Sequence, residues 1–296
     1  VCQTFSMSEI KVDSGVRPKI GILDSGAGGL TVLAALIKSN KAYDYYYFAD
    51  DAFAPYGSLS IDKIQQRVLS ICDFLIDKGV TSLVIACNTA TLEVIHLVRS
   101  CPKVIEKNIL IVGIEPAIKP ASLLDYQGVV CVLATPITCQ SNRLQALINH
   151  ASLNRVSQSS RYHCIASEVL ANAIDALPGS GSRVDLELQS IRASMAELDS
   201  RVLVLACTHY PLIKSMFEGL FDYPVQILEP SDAVARRVID CLPSMHLGGH
   251  ESLSVSLYSS GDNQMESRLC TWLAVLLGES LYQRLSLSGV ANLALD

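Results

Sequence analysis

The 296-residue sequence has few charged residues and no excess of basic ones. Charged residues make up 18% of the chain, and 23 Lys and Arg stand against 29 Asp and Glu, for a net charge of -6. The basic residues are scattered and form no stripe. Because an acidic chain without a basic patch offers no attraction to a phosphate backbone, nucleic acid is not an expected partner.

Long apolar runs are also lacking. The stretch from Cys270 to Leu277 is much shorter than the roughly 20 residues that cross a bilayer. Residues 1–19 have no basic start, no continuous apolar segment and no small-residue cleavage site, so they do not match a signal peptide. We therefore expect no membrane partner and a cytoplasmic location.

The usual signatures of metal, disulfide and cofactor sites are missing as well. Ten cysteines occur, but they are spread along the chain and no C-x-x-C is present, which favours reduced thiols. Cys207 and His209 are too close in sequence to form a complete zinc site alone, and no second Cys/His pair has familiar zinc spacing. No lysine follows a strand end as a clear Schiff-base candidate. The dinucleotide motif G-x-G-x-x-G fails, because the register that begins at Gly26 places Thr31 last. We expect neither metal nor cofactor.

Short apolar runs alternate with helical patterns along the chain. Such runs, apolar on both faces, are typical of parallel strands that helices cover on both sides. They are Lys19 to Leu23, Tyr45 to Ala49, Ser82 to Ala86, Ile109 to Ile114, Val129 to Ala134 and Val202 to Ala206. A helical stripe between them consists of Ile61, Ile64, Val68, Ile71, Leu75 and Ile76. The pattern predicts an α/β fold with doubly wound, mainly parallel sheets.

A weak internal repeat divides the chain. The segment from Ile20 to Ser25 resembles the one that begins at Val130, and the segment from Leu83 to Thr89 resembles the one that begins at Leu203. The repeat predicts two pseudo-symmetric α/β domains. Ligands of open α/β sheets bind beyond the carboxyl ends of the strands. Cys87 and Cys207 both stand at such ends, so we expect the two thiols to face one interdomain cleft.

Two opposed thiols suit one kind of chemistry in particular. Inverting a carbon that carries hydrogen requires removal of a proton from one face and delivery of another to the opposite face. Each thiol needs neighbours that set its protonation state. His209 lies two residues after Cys207, and Asp24 ends the first strand of the half that carries Cys87. The alternatives are that Asp24 caps a helix and that His209 is an ordinary turn residue.

The segment from Asp24 to Gly29 follows a strand and opens a helix. Its backbone amides are therefore placed to bind an anion at the helix N-terminus, and a substrate carboxylate is a suitable occupant.

Six blocks, in this order, resemble the glutamate racemase family within the aspartate/glutamate racemase superfamily. The similarity runs from Lys19 to about Gly278. The blocks are Gly21 to Gly29, Ala54 to Gly57, Ala86 to Ala90, Gly113 to Ala117, Ala134 to Thr138 and Cys207 to Pro211.

The resemblance implies interconversion of L- and D-glutamate, with the D-isomer supplying peptidoglycan synthesis. It implies that Cys87 and Cys207 are the proton donors and acceptors, with Asp24 assisting the first and His209 the second. The residues it implies for substrate binding are Asp24, Ser25, Tyr56, Gly57, Asn88, Thr89, Thr135, Thr138, Thr208 and His209. Short hydroxyls and an amide suit two carboxylates and an ammonium group.

The resemblance also implies a discontinuous first domain, 17–114 plus 227–296, a second domain, 115–226, and a possible homodimer. The family often carries an acidic residue at the end of an apolar segment near the second thiol. This chain reads Cys164 to Asn172 there, which leaves the place of Glu168 open. The remaining alternatives are another enzyme of the superfamily, such as an aspartate racemase, a decarboxylase or an isomerase of a related diacid, and a two-lobed amino-acid-binding protein without catalysis.

Overall fold

A computed structural model describes residues 17–153, 161–242, 252–262 and 264–292. Residues 1–16, on which most of the signal-peptide expectation depends, lie outside the described residues.

Ten strands lie in two sheets. They are β1 (Lys19–Asp24), β2 (Asp44–Ala49), β3 (Ser82–Ile85), β4 (Leu110–Gly113), β5 (Val129–Ala134), β6 (Arg161–Ala166), β7 (Val202–Leu205), β8 (Gln226–Leu228), β9 (Leu253–Ser259) and β10 (Leu285–Asn292). The six apolar runs match β1 to β5 and β7 to within a residue at each end, so those predictions are confirmed.

Helices connect the strands. They are α1 (Leu30–Lys38), α2 (Ile61–Asp77), α3 (Asn88–Ser100), α4 (Pro102–Glu106), α5 (Ile118–Ser122), α6 (Pro136–Gln140), α7 (Asn142–Leu153), α8 (Leu170–Asp175), α9 (Gly181–Glu197), α10 (Lys214–Glu218), α11 (Ser231–Cys241), α12 (Gln264–Leu277) and α13 (Glu279–Tyr282). Short 3-10 turns cover Asp51–Phe53, Tyr56–Ser58 and Tyr210–Ile213.

All strand pairs within the described residues are parallel. One sheet has the order β10-β9-β2-β1-β3-β4, and the other has the order β6-β5-β7-β8. The first four strands of each half therefore follow the same spatial order: second, first, third, fourth. This identity of order confirms the predicted α/β fold with mainly parallel sheets and matches the internal repeat, because β1 corresponds to β5 and β3 to β7.

The central strands are apolar on both faces because helices cover both sides of each sheet. Every residue of β3 and β7 is buried, and the side chains of Ile20, Ile22, Val204 and Leu205 are fully inaccessible. Each such side chain contributes about 1.5–3 kcal/mol relative to leaving it in water. This burial fixes the register of the strands and so the positions of the loops at their carboxyl ends.

Helix α2 shows how local sequence sets a boundary. Its N-cap is Ser60, whose hydroxyl accepts a hydrogen bond from the Lys63 backbone N–H at 3.3 Å. The apolar stripe from Ile64 to Ile76 is buried, as predicted. Ile61 is not part of that stripe, because its side chain is 43% exposed at the first helical position.

The first sheet takes its strands from residues 19–113 and 253–292, and the second from residues 129–228. β8 ends at Leu228, so the second sheet extends two residues past the predicted boundary at 226. The exact division into domains stays a prediction. Among the described residues, the helices include none with both the length and the apolar character needed to cross a bilayer.

Candidate active site

A small cavity lies where the two sheets face each other. Both predicted catalytic thiols line it. Its lining residues are Ser25, Pro55, Tyr56, Gly57, Cys87, Asn88, Thr89, Thr135, Cys207, Thr208 and His209. The structure thus brings together ten of the predicted site residues, and Pro55 is the one lining residue that was not predicted.

The position of the cavity follows from the strand order. Ser25 follows β1 and Cys87 lies two residues after the end of β3, whereas Thr135 follows β5 and Cys207 lies two residues after the end of β7. In a sheet of order 2-1-3-4, the chain leaves the first and third strands in opposite directions, and ligands bind at that switch point. The two switch points of this chain meet at one cavity.

Asp24 and Thr138 are predicted site residues that lie behind the cavity lining. The Asp24 carboxylate accepts hydrogen bonds from the Gly26 backbone N–H and the Thr208 hydroxyl, both at 3.0 Å. The Thr138 hydroxyl lies 3.1 Å from that of Thr89 and 3.0 Å from that of Thr135. Both residues therefore orient side chains that line the cavity.

Cys87 caps the N-terminus of α3, and its side chain is almost completely buried. Burial and, to a smaller extent, the nearby Asp24 carboxylate raise the pKa of the Cys87 thiol to about 12. The Ala90 backbone N–H and the Ser25 hydroxyl oppose this rise without overcoming it. At neutral pH the Cys87 sulfur is therefore a protonated thiol.

Asp24 is fully buried at the end of β1. Burial raises the pKa of its carboxyl group above the ordinary value, and the charge of His209 and hydrogen bonds from Gly26, Gly29 and Thr208 lower it only in part. A carboxylate with a raised pKa, close enough to Cys87 to affect that thiol, is suited to accept a proton from it.

Cys207 has a different environment. Its Sγ lies 3.8 Å from His209 Nδ1, and His209 Nε2 lies 2.9 Å from Asp175 Oδ2. Burial alone would lower the pKa of His209, but the Asp175 carboxylate outweighs it and raises that pKa well above its usual value. The protonated ring is therefore favoured, which places a buried positive charge beside the Cys207 sulfur.

Asp175 is the functional residue that sequence reasoning missed. Burial would raise its pKa, but His209 and Arg268 outweigh burial and lower it. Glu168, the acidic residue considered for this region, is exposed. Asp175 ends α8, 34 positions before His209 in the chain, in a segment with no recognisable motif. Only the packing of α8 against the turn after β7 brings the two side chains together.

Glycines in the loop after β1, and Gly57 in the turn Tyr56–Ser58, allow close packing between the two halves. A Cβ at Gly26 would lie 3.0 Å from His209 Nε2, and one at Gly28 would lie 2.6 Å from the His209 backbone nitrogen. A Cβ at Gly57 would lie 2.9 Å from the Thr135 Cβ. Side chains at these positions would force the two halves apart. Close packing is therefore a reason for glycine here, and it differs from the anion binding that the sequence predicts.

Several polar groups in the lining are available to a ligand. The Asn88 amide is buried, and neither its oxygen nor its nitrogen has a hydrogen-bond partner among the described residues. A buried polar group without a partner is costly, so an amide in this state points to a polar ligand. The Thr89 and Thr135 hydroxyls, from opposite halves, lie 3.2 Å apart across the same cavity.

Tyr56 is held in the lining by a buried ion pair. Its hydroxyl donates to Asp50 Oδ2 at 2.6 Å, and Arg67 binds the same carboxylate through Nε at 3.0 Å and Nη2 at 2.8 Å. All three side chains are almost inaccessible to solvent. Ser260 also donates to Asp50, at 2.7 Å. This network fixes the Tyr56 ring at the cavity wall.

The cysteines in the described residues are free thiols. Across the same part of the chain, no group of three or more His, Cys, Asp or Glu side chains is arranged to hold a metal ion. The groups that the cavity presents are two thiols, an imidazolium, an amide and hydroxyls.

A family model described as Asp/Glu/hydantoin racemase matches residues 20–238. The chain is 33% identical over 273 residues to the glutamate racemase of Stutzerimonas stutzeri (strain A1501), an alignment that covers 88% of this chain and 94% of the relative. It is 32% identical to the glutamate racemase of Ralstonia nicotianae, over 92% of this chain and 94% of the relative.

Among solved structures, the chain is similar to the glutamate racemase of Francisella tularensis in complex with D-glutamate. The TM-score is 0.72 at 26% sequence identity, and the match covers 95% of this chain and 98% of that chain.

Proposed function

The chain belongs to the Asp/Glu/hydantoin racemase family, and from this premise we propose that it is a glutamate racemase that interconverts L- and D-glutamate by proton transfer between two thiols. The supporting relatives are named glutamate racemases, and the solved neighbour holds D-glutamate.

One observation carries the proposed mechanism. Cys87 and Cys207 come from equivalent strand ends of the two halves and line the same small cavity. A substrate α-carbon between them would present one face to each sulfur. Two acid/base groups on opposite faces are what inversion at a carbon that carries hydrogen requires.

In the direction from L- to D-glutamate, Cys207 acts as the base. The His209 imidazolium stabilises its thiolate, which takes the α-proton as the C–H bond breaks. Cys87, a protonated thiol, then delivers its own proton to the opposite face of the α-carbon. The step ends with a Cys207 thiol and a Cys87 thiolate, and no electron leaves or enters the site.

The reverse direction begins from the opposite protonation state. Cys87 must be the thiolate and Cys207 the thiol. Asp24, whose pKa is raised by burial, can take the Cys87 proton and so help to generate that thiolate. The two thiols therefore depend on different helpers, a carboxyl group for Cys87 and an imidazolium for Cys207.

The hydroxyls and the amide of the lining bind the substrate in this proposal. Asn88 and Thr89 stand at the N-terminus of α3, where backbone N–H groups and the helix dipole favour a carboxylate. Ser25, Thr135 and Thr208 supply further hydrogen bonds. Tyr56 and Gly57 form the wall that the Asp50–Arg67 pair fixes in place.

The function is tested by circular dichroism of L-glutamate incubated with the purified protein in buffer that contains a chelator and no pyridoxal phosphate. The expected result is decay of the signal to zero, because the enantiomers have equal free energy. L-Aspartate is the parallel substrate, and we expect its signal to persist. A stable glutamate signal would rule out the proposal, and decay with aspartate alone would point to an aspartate racemase.

Three finer statements belong to the same proposal. D-Glutamate would serve peptidoglycan synthesis, as the resemblance implies. The free thiols of the described residues suit a reducing compartment such as the cytoplasm. A homodimer stays a prediction, and light scattering on a sizing column would test it, with a single-chain mass as the contradicting result.

A further inference from the structure

Arg268, on α12, lies between two buried carboxylates that come from distant parts of the chain. Its Nη2 binds Asp51 Oδ1. Its Nη1 donates to the Asp175 backbone carbonyl at 3.3 Å and lies 3.9 Å from Asp175 Oδ1. Asp51 follows β2 and is also bound by the Ser259 hydroxyl at 2.8 Å. One guanidinium thus connects α12, α8 and the turn after β2.

Asp175 has two oxygens with different neighbours. Oδ1 is the oxygen on the Arg268 side, whereas Oδ2 lies 2.9 Å from His209 Nε2. The other ring nitrogen of His209 lies 3.8 Å from Cys207 Sγ. A continuous line of polar groups therefore runs from Arg268 through Asp175 and His209 to the second thiol.

The guanidinium matters because, without it, two buried carboxylates would share a single cation, the His209 imidazolium, and ionisation of both would be disfavoured. Burial raises the pKa of Asp51 to about 6 even with Arg268 beside it. His209 and, to a smaller extent, Arg268 lower the pKa of Asp175. If the positive charge were removed, one of the two carboxylates would take up a proton near neutral pH, and His209 could lose its ionised partner.

We propose that Arg268 is a positioning residue of the racemase reaction, which holds the Asp175 carboxylate against the His209 imidazole while neutralising Asp51. The inference rests on the proposed function, because the line ends at the thiol that we assign as the base for L-glutamate. Arg268 does not touch the cavity and acts only through Asp175.

The charged and titratable groups that interact with Asp175 come from four different elements. They are Tyr47 of β2, Asp51 of the turn after β2, His209 of the loop after β7, and Arg268 of α12. Arg268 is the only cation in this set besides the His209 imidazolium. A substitution at Arg268 should therefore change the pH dependence of the reaction, which a role in packing alone would not do.

The experiment measures kcat and KM for glutamate from pH 5.5 to 9 in five proteins: wild type, Arg268→Gln, Arg268→Lys, Thr271→Ala and the double variant Asp51→Asn with Arg268→Gln. Thr271 lies one turn further along α12, is exposed and lines the same surface groove as Arg268, so it is the matched control. For Arg268→Gln we expect kcat to fall about tenfold more at pH 6 than at pH 8, with KM changed less. The acid limb of the pH profile, where kcat/KM falls toward low pH, should move to higher pH by about one unit.

Three results should accompany this one. Arg268→Lys keeps the positive charge and should retain the wild-type acid limb. The double variant Asp51→Asn with Arg268→Gln should recover most of that limb, because only one carboxylate then remains. Thr271→Ala should match the wild type at every pH.

An equal loss of kcat across the pH range in Arg268→Gln, or no loss, would overturn the proposal. Arg268→Met keeps the apolar stem and replaces Arg268→Gln if that variant does not fold. If both fail to fold, the role of Arg268 is structural and the proposal is wrong. A wild type that does not racemise glutamate would instead overturn the proposed function, so the two failures are distinguishable.

Discussion

Cys87 and Cys207 share one cavity, but the charges around them have opposite signs. Asp24 and burial keep Cys87 protonated, whereas the His209 imidazolium lies beside Cys207. The two sulfurs therefore have unlike electrostatic surroundings, and the proposed steps use no metal or carbonyl cofactor. In the proposed mechanism, each thiol has a distinct task before substrate enters.

Replacing either thiol by serine should reduce racemisation by at least about 10²- to 10⁴-fold in both directions, because each direction needs both an acid and a base. A serine hydroxyl is too weak an acid to replace a thiol. Substrate binding should largely survive, since hydroxyls and an amide hold glutamate. Circular dichroism measures the rate, and titration calorimetry measures binding.

Cys241→Ser is the control for the thiol variants, because Cys241 is a partly exposed residue at the end of α11, away from the cavity. It should keep wild-type activity. Near-normal turnover in both directions by either Cys87→Ser or Cys207→Ser would contradict the assignment of the two thiols.

The Asp175–His209 pair should also stabilise the fold in a limited pH window. The folded pKa of His209 lies above 6.5, so its contribution is complete below about pH 6.5 and is lost as the pH rises through that folded value. The folded pKa of Asp175 lies below 3.8, so its contribution is present above about pH 3.8 and is lost as the pH falls through that value.

Asp175→Asn should therefore lower the free energy of unfolding by about 3–5 kcal/mol near pH 5.5, because a buried imidazolium loses its partner. The loss should shrink as the pH rises through the folded pKa of His209, where the wild-type ring also gives up its proton. Urea unfolding at several pH values measures this difference. Glu168→Gln, at an exposed carboxylate nearby, should change little at any pH. Little or no loss near pH 5.5, where both partners are ionised in the wild type, would count against the ion pair.

At the scale of elements, the loop between β1 and α1 packs against the loop after β7. Gly28→Ala should destabilise the protein by about 1–3 kcal/mol, because the new methyl group would lie 2.6 Å from backbone atoms of Thr208 and His209. A displaced His209 should also lower kcat, by up to about a hundredfold. Thermal unfolding and the racemisation rate measure the two effects.

Gly181 provides the comparison for Gly28. A Cβ there meets nothing within 4 Å, and the residue opens α9. Gly181→Ala should leave activity unchanged and stability equal or slightly higher, because alanine loses less backbone entropy in a helix. If the two glycine variants behaved alike, close packing between the halves would not explain Gly28.

The elements that the sequence predicts are those whose side chains all meet the core. β3 and β7 are buried at every residue, so each appears in the sequence as a continuous apolar run. β6 begins with Arg161, has mostly exposed or half-buried residues and lies at a sheet edge, so no apolar run marks it. β9 alternates buried and half-buried residues, and the spacing of Leu253, Val255 and Leu257 could have indicated a strand.

The site residues divide in the same way, into those that follow predicted strands and those that only tertiary packing brings together. Cys87, Cys207 and most of the lining follow predicted strands, and their place at one edge of each sheet follows from parallel topology. Asp175, Asp51 and Arg268 could not be found in this way, because tertiary packing alone brings together side chains from α8, the turn after β2 and α12. No sequence pattern within one of those segments indicates which residues of the other two segments it contacts.

At the scale of the whole molecule, two halves with the same strand order carry unlike helpers for their thiols. In the proposed mechanism, the α-proton of each enantiomer is removed by a different sulfur, so a change in one helper should make one removal step slower. His209→Asn should slow removal of the α-proton from L-glutamate by Cys207, which is the base for L-glutamate in the proposed mechanism. Asp24→Asn should slow removal of the α-proton from D-glutamate by Cys87.

These effects must respect the equal free energies of the enantiomers, so the ratio of kcat/KM for the two directions stays at one in every variant. The asymmetry can appear only in the separate kcat and KM values and in isotope effects. With α-deuterated substrates, His209→Asn should show the larger increase of the isotope effect with L-glutamate, and Asp24→Asn with D-glutamate. Wild-type enzyme assayed with both substrates supplies the reference. Equal isotope effects in the two directions for both variants would exclude one helper for each thiol, because a shared helper would slow both removal steps together.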